Sequence, residues 1–142
     1  MPFLFDQISG RLWQHQKPDD DWTCIGLGYS GNGRGLLNPL WQFVHNHGPI
    51  PAGHYTMSLA PQPEFKHLGP IVFKLTPDPS NAMGGRFAFY IHWDSAQHNM
   101  TASDGCIVFR DLSIFQELQS KIGAGDNQLE VVSQPPLASV PT

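Results

Sequence analysis

Arg86-Phe87-Ala88-Phe89-Tyr90-Ile91-His92 and, after a short interval, Ser103-Asp104-Gly105-Cys106-Ile107-Val108-Phe109-Arg110 are the two stretches that decide the architecture. In the first, Phe87, Phe89 and Ile91 alternate with Ala88, Tyr90 and His92. That is the period-two pattern of a half-buried strand. In the second, Ile107 and Phe109 form an apolar set while Cys106, Val108 and Arg110 point the other way. Two such strands laid side by side in register put His92 and Cys106 on one face. The segment from Trp93 to Asp104 then crosses that face as a loop, and its small polar residues Ser95, Asn99, Thr101 and Ser103 suit a cover for a polar substrate.

This pairing has chemical meaning. A thiol is a good nucleophile only as thiolate, and a neighbouring imidazole is the usual means of ionising it near neutral pH. The tight turn before Cys106 exposes backbone N–H groups beside the sulfur, donors of the kind that form an oxyanion hole. Asp94, Asp104 or a backbone carbonyl could orient the imidazole. The plainer alternative is a buried histidine and a buried cysteine that never meet. A papain- or NlpC-like hydrolase is disfavoured because those families place cysteine before histidine along the chain.

Working outward, the rest of the chain reads as strands and turns. Phe3–Ile8 and Arg11–His15 flank Ser9-Gly10 as a hairpin, and Trp22–Leu27 is a third strand. Gly26 to Gly35 is glycine-rich and reads as turns. Asn38 and Pro39 begin a short helix or turn running to Val44, and Gly48–Gly53 is a rigid connector. Further strands are expected at 54–59, 71–75 and 128–132. The one convincing helix is 111–121, with Leu112, Phe115 and Leu118 on one face and Gly123 as its stop. The expected fold class is therefore mainly β with one or two short helices. One domain over 1–133 is followed by a flexible Pro/Ser tail over 134–142.

Composition agrees. The 142 residues include 14 Gly and 13 Pro, with 40% hydrophobic and 14% charged residues, which suits a β-rich, loop-rich domain. The net charge is −4, from 8 basic and 12 acidic residues, with no basic stripe, so nucleic acid is an unsuited partner. No apolar run has the length of a membrane span, and the first residues lack the charged start of a secretory signal. The chain is thus expected to be made in the cytoplasm without a signal peptide. Two cysteines are too few for a disulfide framework. Cys24 reads as a small buried hydrophobe, although a Cys24–Cys106 bridge stays open.

Two other motifs are weighed and set aside. Gly26-Leu27-Gly28-Tyr29-Ser30-Gly31 matches a dinucleotide fingerprint by letter, but Asn32-Gly33-Arg34-Gly35 cannot open the helix that such a site needs. His45, His47 and His54 cluster along the chain as zinc ligands sometimes do, yet they read better as loop histidines. No cofactor or metal is expected.

The succession Tyr29-Ser30-Gly31-Asn32-Gly33, Asn38-Pro39, Gly48-Pro49-Ile50-Pro51-Ala52-Gly53-His54-Tyr55, Arg86-Phe87, Ile91-His92 and Ala102–Val108 resembles the type VI secretion L,D-transpeptidase effectors. These are small bacterial toxins distantly related to YkuD-type L,D-transpeptidases. The resemblance runs to about Val132. It implies a YkuD-like catalytic domain, sandwich- or barrel-like, that attacks peptidoglycan stem peptides in the periplasm of a rival cell. The reaction would be L,D-carboxypeptidase cleavage and D-amino acid exchange. It implies Cys106 as nucleophile and His92 as its base, with Ser103, Asp104 and Gly105 in the turn before the cysteine. The candidate substrate contacts are Tyr29, Ser30, Arg34, Tyr90 and Trp93. A cognate immunity protein and the type VI secretion machinery are the implied partners, with no membrane insertion. Two residues depart from ordinary L,D-transpeptidases. Asp104 stands where those enzymes carry a second histidine, which the effector family also lacks, and Trp93 stands where a glycine often follows the catalytic histidine. A non-catalytic peptidoglycan-binding or structural module on the same fold is the competing class.

Overall fold

The alternating strands bury their apolar faces by rolling one sheet up on itself. The computed structural model describes residues 3–16, 21–61, 69–94, 105–134, 136 and 139–140. Its strands are β1 (Phe3–Asp6), β2 (Arg11–Gln16), β3 (Asp21–Ser30), β4 (Gly53–Leu59), β5 (Phe73–Pro77), β6 (Phe89–Trp93), β7 (Ile107–Phe109), β8 (Gln128–Val132) and β9 (Ser139–Val140). One α-helix, α1 (Leu112–Gly123), and 3-10 turns at Gly33–Gly35 and Pro39–Trp41 complete it. The strand order is β2-β1-β8-β4-β5-β6-β7-β3, and β3 pairs again with β2, closing an eight-stranded barrel. The molecule is mainly β with one helix. Among the described residues no helix is long and apolar enough to cross a membrane.

Inward rows of the barrel come from residues two apart. Phe3 and Phe5 on β1 lie opposite Leu129 and Val131 on the parallel strand β8, and all four are buried. Asp6 makes the first turn by accepting N–H bonds from Ile8 (3.0 Å) and Ser9 (2.7 Å), after which Gly10 takes φ 73°. The helix adds its own apolar stripe. Asp111 caps it by accepting from the Ser113 N–H at 2.9 Å. Phe115 stacks on Phe73 and meets Phe109 edge-on, each with ring centres 6.3 Å apart. The buried face is Ile114, Phe115 and Leu118, whereas Leu112, expected to join it, is 43% exposed at the first helical position. The chain turns away two residues after Gly123, at Gly125 (φ 100°).

Two expectations change. The glycine-rich stretch does not turn at once: β3 runs past Leu27 and through Gly28 to Ser30. Glycine is needed at 28 for close packing, since a Cβ there would sit 2.2 Å from the Val108 carbonyl oxygen, and a Cβ on Gly26 would sit 2.6 Å from Ile114 Cδ1. Phe87 is not part of the inward row. Ala88 adopts φ 67°, which breaks the alternation before β6 begins and leaves Phe87 84% exposed. Within the C-terminal segment, Ser139–Val140 pair in parallel with Trp22 and Thr23 of β3, along a stretch that β7 leaves open.

Cys24 packs with Leu4 and Trp13 in a second, smaller cluster, its Sγ 3.4 Å from the Gly26 carbonyl. The two cysteines are not joined by a disulfide. Replacing Gly28 by alanine is expected to cost about 1–3 kcal/mol of stability through overpacking. Replacing Gly123, around which a Cβ would meet nothing within 4 Å, is expected to gain about 0.4–1 kcal/mol. Urea unfolding of the two variants checks both signs.

Candidate active site

β6 and β7 are parallel neighbours, with Ile91 opposite Ile107, His92 opposite Val108 and Trp93 opposite Phe109. Ile91, Ile107 and Phe109 belong to the main core, so His92 and Val108 face away from it. Cys106 stands two residues before Val108, at the start of the same row. Imidazole and thiol thus sit diagonally across adjacent strands, a relation that long side chains span. His92 is 3% exposed and Cys106 is half-buried.

The histidine is held in a defined state. Its Nδ1 lies 2.9 Å from the Trp93 carbonyl oxygen. A carbonyl can only accept, so in the neutral ring Nδ1 carries the proton and Nε2 keeps the lone pair that a general base needs. Of the three orienting groups open from the sequence, a backbone carbonyl is the one that contacts Nδ1 here, and Asp104 lies outside the described residues. Asp94 has a different task. Its buried carboxylate accepts from the Tyr29 hydroxyl at 2.6 Å and from Arg110 Nε at 3.1 Å, tying β3 and the residue after β7 to the end of β6.

The turn before the cysteine demands glycine. Gly105 has φ 137°, and a Cβ there would lie 2.3 Å from Arg86 Nη2 and 2.9 Å from Phe89 Cε1. Its carbonyl accepts from the Ser30 hydroxyl at 3.0 Å, and Ser30 Oγ in turn accepts from the Ile50 N–H at 2.9 Å. Ser30 therefore links the end of β3, the 48–53 connector and the turn that presents Cys106.

A groove of about 310 Å³ opens beside the sulfur. It is lined by Gly105 and Cys106, by Arg86, Phe87, Ala88 and Phe89, and by His45 and Asn46. Asn46 (φ 65°) and Ala88 (φ 67°), two of the three non-glycine residues with positive φ among the described residues, lie on it. Such strain persists only where surrounding contacts impose it, and it gathers at functional sites. His45 Nε2 is 3.1 Å from the Gly84 carbonyl, which ties the two walls together. Arg86, 7% exposed, donates from Nη1 to the carbonyls of Gln42 (2.6 Å) and Pro49 (2.8 Å) and from Nη2 to that of Gly48 (3.1 Å).

A family model described as the Tlde1 domain matches residues 26–134, a span that holds His92, Cys106 and every residue lining the groove. The chain belongs to the Tlde1 domain family. This is the type VI secretion L,D-transpeptidase effector family, so the chain carries a type VI effector domain. A solved structure titled "Structure of Bdellovibrio bacteriovorus Bd1075" is similar in fold, with TM-score 0.56 and 16% identity. The match covers 93% of this chain and 47% of that one, so the chain spans about half the length of its structural neighbour. No curated protein sequence matches the chain.

In this Tlde1 domain the five expected substrate contacts do not line the groove. Tyr29 and Ser30 are buried, and each braces the site from behind, through Asp94 and through Gly105. Arg34 is exposed on the 33–35 turn, and its carbonyl accepts from Asn38 Nδ2 at 3.1 Å. Trp93 is half-buried and gives its indole N–H to the Arg110 carbonyl at 2.8 Å. Tyr90 lies opposite Lys74 of β5, in the row of His92. Ser103 and Asp104, with the cover expected over 95–102, lie outside the described residues. Among the described residues no group of three side chains could hold a metal. The three clustered histidines diverge: His45 to Gly84, His47 Nδ1 to Asn32 Oδ1 at 2.9 Å, and His54 to Glu130 at 3.8 Å. Of the groove residues, Asn46 and Ala88 were not singled out as site residues from sequence; His45 was weighed only in the histidine cluster and Arg86 only within the Arg86-Phe87 motif. Arg86, a charge at the head of an apolar run, was the one available signal.

Tyr29→Phe removes a hydrogen bond to a buried carboxylate and is expected to cost about 1.5–3 kcal/mol. Equilibrium urea unfolding measures it, and a loss below about 0.5 kcal/mol would contradict the bracing role of the Tyr29–Asp94 contact.

Proposed function

We propose that this effector domain acts on peptidoglycan stem tetrapeptides as a cysteine L,D-carboxypeptidase and, with a free D-amino acid as acceptor, as an L,D-transpeptidase. The observation that carries the reading is a half-buried thiol lining a groove of about 310 Å³, just ahead of the strand that pairs with that of a histidine whose Nδ1 is held by a carbonyl. Membership of an effector family supports the biological setting: delivery by the type VI secretion machinery, action in the periplasm of the target cell, and an immunity protein that protects the producer. The same reading takes residues 1–133 as the catalytic unit and the barrel as a YkuD-like domain.

The steps use groups of the chain itself. His92 Nε2 takes the Cys106 proton, and the thiolate attacks the carbonyl carbon of the third stem residue, at its L-configured centre. The Cys106 N–H, in the turn shaped by Gly105, faces the oxyanion. As the intermediate collapses, the C–N bond breaks and the imidazolium gives its proton to the departing D-alanine amine. Water, deprotonated by His92, then attacks the thioester, the C–S bond breaks, and a tripeptide leaves. A D-amino acid amine attacking instead forms a new C–N bond and gives the exchanged tetrapeptide. Either outcome depletes donor stems that cross-linking requires.

Incubation of the purified domain with tetrapeptide muropeptides tests the proposal. Wild type is expected to release D-alanine, His92→Ala to lose about 10²–10⁴-fold in rate, and Cys106→Ala to release none. Undiminished release by Cys106→Ala, or none from the wild type, would overturn it.

A further inference from the structure

Arg86 is a buried cation whose contacts lie on both sides of the Cys106 turn. Three of its bonds go to main-chain carbonyls of one short stretch, those of Gln42, Gly48 and Pro49. Those residues bracket His45 and Asn46, which line the groove. On the other side the guanidinium occupies the space that a side chain on Gly105 would need, 2.3 Å from that Cβ position, and it lies 5.2 Å from the centre of the Phe89 ring. Carbonyls and a π-face solvate a cation without cancelling its charge.

That charge bears on the neighbouring thiol. Burial pulls Arg86 below its ordinary value, and Tyr55 and then Cys106 push it back up. Tyr55 cannot serve as a counter-ion near neutral pH. Its hydroxyl donates to the Pro51 carbonyl at 2.7 Å, and burial raises its ionisation well above the usual phenol range. Cys106 is the partner of the two that can carry negative charge under working conditions.

We propose that Arg86 is a positioning residue for the nucleophile: its guanidinium places fixed positive charge beside the Cys106 sulfur while its carbonyl contacts pin the 42–49 wall of the groove. His92 then has to move the thiol proton rather than supply all of the stabilisation of the thiolate. The proposal rests on Cys106 being the nucleophile. Among the described residues the titratable and charged groups around that sulfur are Arg86 ahead of β6, Tyr90 and His92 on β6, His45 on the 42–49 wall and Tyr55 of β4 beside Arg86; His98 and Asp104 lie outside the described residues.

The test is the pH profile of Cys106 alkylation by iodoacetamide, followed by peptide mass spectrometry so that Cys24 is counted separately. It needs no muropeptide, so its outcome is independent of the D-alanine assay. An adjacent cation lowers the thiol half-point, so removing the cation must raise it. Arg86→Gln is expected to move the half-point up by about one unit, which is about tenfold slower alkylation at pH 6, and Arg86→Lys to restore most of the shift. An unmoved half-point in folded Arg86→Gln would overturn the proposal. Should Arg86→Gln not fold, His92→Ala decides. A half-point that stays below about 8.5, the free-thiol value, supports charge from Arg86, and a return to that value overturns it. Loss of D-alanine release with the alkylation shift intact would instead count against the peptidase reading alone.

Discussion

Parallel pairing of β6 with β7 is the constraint that the remainder of the molecule serves. Parallel neighbours cannot be joined by a tight hairpin, because the chain must return to the starting end before the second strand begins. The chain enters β7 through Gly105 and Cys106, so the Cys106 thiol sits in the turn ahead of the strand rather than in its middle. The pairing sets His92 beside Val108, and the two-residue period of the strands brings the thiol into the same row. Several contacts then fasten the ends of this pair. Asp94 joins Tyr29 and Arg110, Ser30 holds the Gly105 carbonyl, and Arg86 fills the space beneath Gly105.

Much of this was legible in the alternation of side chains. The first hairpin, the strand at 128–132, the helix after Asp111 and the side-by-side placement of the His92 and Cys106 strands follow from local periodicity and turn chemistry. These signals are short-range, and a linear reading captures them. Other features depend on what packs against a residue. Gly28 reads as a turn former but lies in a strand, where the Val108 main chain approaches too closely for a side chain. Ala88 looked like an ordinary strand residue, yet it takes a left-handed conformation that turns Phe87 outward.

The groove was the least legible part for the same reason. Its walls come from the 42–49 loop and from residues just ahead of β6, far apart in sequence and joined by hydrogen bonds between main-chain carbonyls and the side chains of Arg86 and His45. Main-chain acceptors leave no trace in residue identity. Tyr29 and Ser30, read from the sequence as substrate contacts, are buried. Both lie near the end of β3, and there their hydroxyls satisfy buried partners instead of meeting solvent.

Closure of the sheet through β2 and β3 also shapes how this molecule meets its own copies. An open sheet offers a row of unpaired amides and carbonyls that another chain can extend. Here the circle is closed, and on the side of β3 away from β2 Ser139–Val140 pair with Trp22 and Thr23. The C-terminal segment thus works as a selvedge. Trimming it would uncover a ladder on which copies could stack edge to edge.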